Sequence, residues 1–312
     1  MANVYTSMDQ LVGKTPILEL TQIKKELQLQ ANIYAKLEFM NPAGSIKDRV
    51  AKAMLEAAER DGKIKPGDVI IEPTSGNTGI SLAAIATAKG YRCIVVMPDN
   101  MTEERRKLVR AYGGELVLTD GKDGIKGAIK KAEELAREIS GSFIPAQFDN
   151  SENTRVHLEN TGPEIYEDMN GEIDIFVSGV GTGGTITGTG KYLKAQNNKI
   201  QVIAAEPSTS PVLSKGTSGA HDIQGIGPEF VPELLNTLIY DEIIAVADED
   251  AYQYARLIGK KEGILAGVSS GAVLYAAVKL AKREENKGKN IVVIFFDSGD
   301  RYFSTRFFEE DR

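Results

Sequence analysis

Short apolar runs alternate with amphipathic helical stretches along the whole chain, and few folds accept that rhythm. The runs that read as strands are ANIYAKLE (31–38), DVIIEP (68–73), CIVVMP (93–98), GELVLT (114–119), IDIFVSG (173–179), QVIAAEP (201–207) and NIVVIFFD (290–297). Helical spacing falls between them, at 47–61, 77–89, 102–112, 124–139, 185–195, 248–262 and 270–284. Such β–α alternation implies an α/β fold of largely parallel sheets with helices on both faces. Seven strands with glycine turns at their carboxyl ends suggest two such sheets. The polar, turn-rich stretch AQFDNSENTRVHLE (146–159) reads as the seam between them.

Composition removes several function classes. With 312 residues and 42% hydrophobic content, the chain can bury a substantial core. A net charge of −7 argues against a general nucleic-acid or anionic-membrane binder. The single cysteine, Cys93, excludes an internal disulfide framework and a multi-cysteine metal site. Its setting, YRCIVVMP, is that of a buried small hydrophobe. Two histidines, His157 and His221, cannot make a His-rich zinc site, and no G-x-S-x-G elbow accompanies them, so both read as polar contacts. No metal site is expected. The N-terminus has no apolar signal core and no run approaches about 18 apolar residues, so a cytoplasmic protein is expected.

Ligands of open α/β sheets bind beyond the carboxyl ends of the strands, so the loops there carry the function. NPAGSIKDR (41–49) places Lys47 in the first turn of a helix. The positive end of the helix dipole disfavours an ammonium and frees an amine nucleophile. Taken alone, the same loop also reads as a surface lysine beside Asp48. EPTSGNTG (72–79) sets Thr74, Ser75, Asn77 and Thr78 at a helix N-terminus, where short hydroxyls and backbone N–H groups suit a small carboxylate. One of the four would serve as an ordinary cap, which leaves the others unexplained.

The third loop, GVGTGGTITGTGK (179–191), joins strand to helix as an anion site. Gly179, Gly181 and Gly184 fit the dinucleotide fingerprint, and Glu206 stands about where a ribose-binding acid belongs. An NAD-dependent oxidoreductase is therefore a real competitor. Thr182 and Thr185, however, suit a terminal phosphate monoester, and NAD gives no role to Lys47 or the 72–79 loop.

Together these loops resemble the cysteine synthase (O-acetylserine sulfhydrylase) family of fold-type-II pyridoxal-phosphate enzymes. The resemblance runs nearly end to end, through VGKTPILEL (12–20), NPAGSIKDR, EPTSGNTG, MPDNMTEERRKLVRAYGGELVLT (97–119), PAQF (145–148), TGPEI (161–165), GVGTGGT (179–185), QGIG (224–227), GVSSGA (267–272) and DSGDRYFST (297–305). It implies two three-layer αβα domains with the active site between them. The smaller, mobile one would span 41–150 and carry the carboxylate loop. The larger one would comprise 1–40 plus 151–312 and carry the phosphate loop.

Carried over by position, the resemblance makes Lys47 the internal-aldimine lysine and the base for the substrate Cα proton. Asn77 would meet the O3′ of pyridoxal 5′-phosphate, Gly181, Thr182, Gly183, Gly184 and Thr185 its phosphate, and Ser298 its pyridine nitrogen. Thr74, Ser75, Thr78 and Gln147 would bind the substrate carboxylate. A neutral hydroxyl at the ring nitrogen leaves a weaker electron sink, which suits β-elimination. The implied reaction is ping-pong: O-acetyl-L-serine loses acetate to give an aminoacrylate, and sulfide adds to form L-cysteine. The family is homodimeric, and the same is expected here.

The chain departs from the family after QGIG, where Pro228-Glu229-Phe230 replaces small residues, and at Asp222, where relatives often carry lysine. Glu229 is a candidate specificity residue, able to repel an anionic nucleophile or to serve water or a thiol. The alternative reaction is a cysteine β-lyase or lanthionine-type synthase that releases hydrogen sulfide. The two carboxylates also disfavour docking of the acidic tail of serine acetyltransferase, which this region receives in relatives. A non-catalytic binding protein on the same fold stays open from residues alone.

Overall fold

The computed structural model describes residues 4–309. Ten strands occur among them, in chain order β1 (Ile17–Glu19), β2 (Asn32–Leu37), β3 (Val69–Pro73), β4 (Arg92–Pro98), β5 (Glu115–Thr119), β6 (Ser142–Phe143), β7 (Ile175–Gly179), β8 (Gln201–Pro207), β9 (Glu242–Val246) and β10 (Asn290–Phe295). The helices are α1 (Thr21–Glu26), α2 (Lys47–Arg60), α3 (Asn77–Lys89), α4 (Glu103–Ala111), α5 (Gly124–Glu138), α6 (Glu152–Val156), α7 (Gly162–Asp168), α8 (Gly184–Gln196), α9 (Val212–Lys215), α10 (Asp248–Glu262) and α11 (Val268–Ala281). No helix among the described residues is long and apolar enough to cross a membrane.

The chain divides into two compact units, one of Met1–Gly13, Asn41–Glu152 and Arg301–Arg312, the other of Lys14–Met40 and Asn153–Asp300. Each holds one sheet. In the first unit four parallel strands lie in the order β5-β4-β3-β6. Strand alternation covers both faces: Val69, Ile71, Ile94 and Val96 bury against Ala128 and Ala132 of α5, while Val95 meets α3 at Gly79. The inner strands β3 and β4 are buried almost throughout, which is why they read as unbroken apolar runs.

In the second unit six strands lie in the order β1-β2-β10-β7-β8-β9, parallel except for β1 at one edge. Helix α11 is buried along nearly its whole length and packs on β10 and β7, with α10 against it. It is apolar around most of its surface because only the face carrying Tyr275 and Lys279 is left uncovered. Helix α8 lies on β7 and β8.

The expected α/β class and its two mostly parallel sheets are observed, and all seven strand runs and helical stretches form. Three strands were not foreseen. β1 and β6 have three and two residues, too few to show a period, and β9 is a half-exposed edge strand. The stretch read as a turn-rich seam is largely helical from Glu152 onward. Its 3.6-residue spacing is broken by a π turn at His157–Thr161 between α6 and α7.

Candidate active site

In the first unit, two helices begin side by side. Lys47 is the first residue of α2 and Asn77 the first of α3. Asp48, fully buried, ties the first turn of α2 to α3. Its Oδ2 accepts the Ala43 N–H (2.6 Å) and its Oδ1 accepts the Ser81 hydroxyl (2.5 Å). One oxygen thus holds the loop that leads to Lys47, and the other reaches α3. A further contact, Lys47 N–H to Ser45 Oγ at 3.2 Å, closes the turn.

The residues expected to bind a carboxylate converge at the start of α3. Thr74 and Thr78 are buried, and Thr74 Oγ1 accepts the Gly76 N–H (3.2 Å). Thr78 donates its hydroxyl to Gln147 Oε1 at 2.6 Å, which turns the Gln147 amide nitrogen away from Thr78. Ser75 is exposed at the tip. Gln147 is placed by a residue that sequence reasoning passed over. Glu72, at the carboxyl end of β3 and fully buried, accepts the N–H groups of Ala146 (3.0 Å) and Gln147 (3.1 Å). Burial pushes its carboxyl up to about 8, although both backbone donors pull the other way. The signal was available: an acid at the end of a wholly apolar strand has to be held by something.

Two buried arginines, also unforeseen, hold the same loops. Arg301 donates to Asn77 Oδ1 and to the carbonyl of Ala43, so one guanidinium fastens the lysine loop to the start of α3. With Oδ1 engaged, the Asn77 amide N–H groups point elsewhere as donors. Arg105, from α4, donates to the Ser75 carbonyl (3.1 Å) and to the Tyr302 hydroxyl (3.2 Å). Cys93 is buried with its thiol pushed up to about 12, chiefly by desolvation, and is an inert core residue as expected.

The second unit carries the glycine loop and Ser298. β10 and β7 run parallel with Val293 opposite Val177, so Gly181–Thr185 and Ser298 both follow strand ends on the same edge of the sheet. A Cβ on Gly181 would sit 2.5 Å from the Gly225 carbonyl oxygen, and one on Gly184 would sit 2.2 Å from Asn153 Oδ1. Neither position accepts a side chain. Gly227 donates its N–H to the Val180 carbonyl (2.9 Å), and His221 Nε2 lies 2.8 Å from the Gly227 carbonyl, so the QGIG loop is fastened to the glycine loop. Glu229 is exposed just beyond it, as is Asp222. Glu206 is buried and turned onto α9, accepting the Leu213 N–H (2.8 Å) and the Ser214 hydroxyl. That carboxylate is spent on a local helix start, which removes the main support for a ribose site.

A family model described as pyridoxal-phosphate dependent enzyme matches residues 8–297. The chain is 51% identical over 306 residues to a cysteine synthase of Staphylococcus aureus, covering 98% of this chain and 97% of that protein. The chain belongs to the cysteine synthase family of pyridoxal-phosphate-dependent enzymes. Within that family, a cysteine synthase structure from Entamoeba histolytica superposes with a TM-score of 0.95 at 41% identity, covering 99% of this chain and 92% of that one. A hydrogen sulfide-producing enzyme from Fusobacterium nucleatum superposes with a TM-score of 0.93 at 43% identity, covering 96% and 100%. Family membership accounts for both sheets and for the spacing of the loops that follow their strands.

Proposed function

We propose that the protein makes L-cysteine from O-acetyl-L-serine and sulfide with pyridoxal 5′-phosphate as cofactor. The observation that carries the reading is the fastening of two loops in the first unit. The Asp48–Ser81 contact and the Arg301 fork bring the start of α2, with its lysine, beside the start of α3, whose hydroxyls would bind a carboxylate. An amine nucleophile next to a carboxylate site is what amino-acid chemistry on a carbonyl cofactor needs.

The donor set fits this cofactor. Lys47 would hold its aldehyde carbon and Asn77 would donate to O3′. The 181–185 loop would hold the phosphate through backbone N–H groups and the buried Thr182 and Thr185 hydroxyls, and Ser298 would meet the ring nitrogen. When bound, pyridoxal phosphate supplies a carbonyl that captures the substrate amine and a conjugated ring that draws electrons from Cα. Thr74, Ser75, Thr78 and Gln147 would orient the substrate by its carboxylate. Lys47 would take the Cα proton while acetate leaves Cβ with the C–O electron pair. Hydrosulfide would then bond to Cβ, and Lys47 would return the proton to Cα. A hydroxyl at Ser298 would not hold a proton on the ring nitrogen as a carboxylate would, which would favour this elimination over transamination.

A sulfide-releasing reading, cysteine β-lyase or lanthionine-type synthase, is favoured by one feature: the exposed carboxylate of Glu229 beside the QGIG loop. Steady-state rates with O-acetylserine, O-phosphoserine and cysteine, measured side by side, separate the two. Net cysteine formation from O-acetylserine supports the synthase. Sulfide release from cysteine that falls in Glu229→Gly supports the alternative. A purified protein with no visible absorption, or one whose absorption persists in Lys47→Ala, would sink both. A cytoplasmic homodimer is part of the proposal, and light scattering checks the dimer.

A further inference from the structure

The glycine loop of the second unit is backed by a row of buried side chains with no role in the reaction as described. Asn153, His157 and Thr161 are all fully buried and stand on α6 and the π turn behind the loop. Asn153 Nδ2 donates to Thr182 Oγ1 at 3.0 Å. His157 Nε2 lies 3.3 Å from Thr185 Oγ1, and its Nδ1 lies 2.9 Å from Thr161 Oγ1. The packing is close. A Cβ on Gly188 of α8 would sit 2.8 Å from His157 Cβ and 2.3 Å from the Thr154 carbonyl oxygen, so the segment carrying His157 lies tight against the helix that starts at the cup.

Proton counting decides what this row does. A neutral imidazole has one donor nitrogen and one acceptor nitrogen, and each hydroxyl has one proton. If the proton is on Nε2, His157 donates to Thr185 Oγ1, Thr161 donates to Nδ1, and the Thr185 proton is left for a ligand. If it is on Nδ1, Thr185 must spend its proton on His157 and presents only lone pairs to the cup. A phosphate dianion has only acceptors, so only the first arrangement suits it. Thr182 is in the same condition, because Asn153 occupies its oxygen as a donor. His157 and Thr161 are four residues apart, a spacing at which side chains on one helix face meet, and both lie in the π turn, a feature that concentrates at functional sites.

We propose that His157, as the neutral Nε2–H tautomer, is a positioning residue that holds the Thr185 hydroxyl as a donor, in parallel with Asn153 at Thr182, so that the cup selects a phosphate. This rests on the cofactor reading above and deepens it. His157 touches no reacting atom. Its effect belongs to the phosphate end of the ligand alone.

The test uses the full-length apoprotein titrated with pyridoxal phosphate and with pyridoxal, which shares the ring and aldehyde but lacks the phosphate. His157→Leu is expected to weaken pyridoxal phosphate binding about tenfold and pyridoxal binding less than about twofold. His157→Gln, whose amide nitrogen can replace Nε2–H, is expected to recover most of the loss. Equal weakening of both ligands, or of neither, overturns the proposal. The wild-type protein provides a check that does not depend on the variants folding. With only two histidines in the chain, 15N-histidine spectra resolve each ring. His221 is the internal reference, since its Nε2 must donate to the Gly227 carbonyl. A neutral Nε2–H signal for His157 is expected, and an Nδ1–H tautomer or an imidazolium overturns the assignment. A wild type that takes up neither ligand overturns the cofactor reading itself, a result distinct from the tautomer.

Discussion

Replacing Glu72 by glutamine separates the charge of this buried group from its shape. Its carboxyl ionises near 4.5 in an exposed setting and is pushed up to about 8 in the fold, first by desolvation and further by Asp149, against the donors at Gln147 and Ala146. The folded-state value lies above the unfolded one. Between these two values the folded chain therefore binds one proton more than the unfolded chain, and stability falls as pH rises. The slope is about 1.4 kcal/mol per pH unit, and the window spans about three and a half units, so up to about 5 kcal/mol is lost by pH 8 to 9 relative to pH 4. Glutamine exchanges no proton. It does place an amide N–H against one of the two backbone donors, a mismatch that costs about 1–3 kcal/mol at every pH.

The two effects have opposite consequences along the pH axis. Near pH 5 Glu72→Gln should be less stable than wild type by roughly the cost of the mismatch. Toward pH 8.5 the wild type loses its advantage and the order should reverse. Urea unfolding followed by far-UV circular dichroism, at half-unit steps from pH 5 to 9, measures the difference directly. A difference that stays constant across that range would mean Glu72 is ionised throughout in the folded chain, and the account of its burial would be wrong.

Arg301→Lys keeps a charge but loses the fork that holds the Ala43 carbonyl and Asn77 Oδ1 together. It should cost about 1–3 kcal/mol by urea unfolding and shift the visible band of the bound cofactor, because Asn77 would no longer be fixed as a donor. An unchanged band would argue that Arg301 only packs. The Cys93 thiol, pushed up to about 12, should resist a thiol-selective reagent at pH 8 in the native protein and react fully in denaturant. Fast native labelling would contradict its burial.

The chemistry-bearing loops were legible because each breaks a rule locally. A lysine at a helix start, four hydroxyl and amide side chains where one cap would serve, and glycines crowded after a strand all mark positions that folding alone does not explain. What held those loops was not legible. Glu72 and Gln147 are 75 residues apart, and Arg301 is 224 from Asn77. Nothing in local period or propensity joins such pairs, since a buried polar partner is chosen by the packing of the folded chain. His157 was read as a polar contact, which it is. Its partner Thr185 lies 28 residues further along the chain, and no local pattern joins the two.

The buried ties also say which part of the first unit is left to respond to substrate. Thr74, Thr78 and Gln147 are buried and bonded to the frame, and Asn77 is held by Arg301. These groups are set before any ligand arrives, so under the proposed function little ordering would remain when a carboxylate binds. Ser75 differs. Arg105 fixes its carbonyl at 3.1 Å, while the residue itself is exposed. A hydroxyl on a fixed backbone can turn by one side-chain rotation toward an arriving carboxylate and then exchange water for that contact. Ser75→Ala should therefore act on substrate capture more than on the chemical step. A rise in KM for O-acetylserine of about fivefold, with kcat changed less than about twofold, matches one lost hydrogen bond to a charged group still partly in water. A fall in kcat at constant KM would place Ser75 in the frame with the others and refute the distinction.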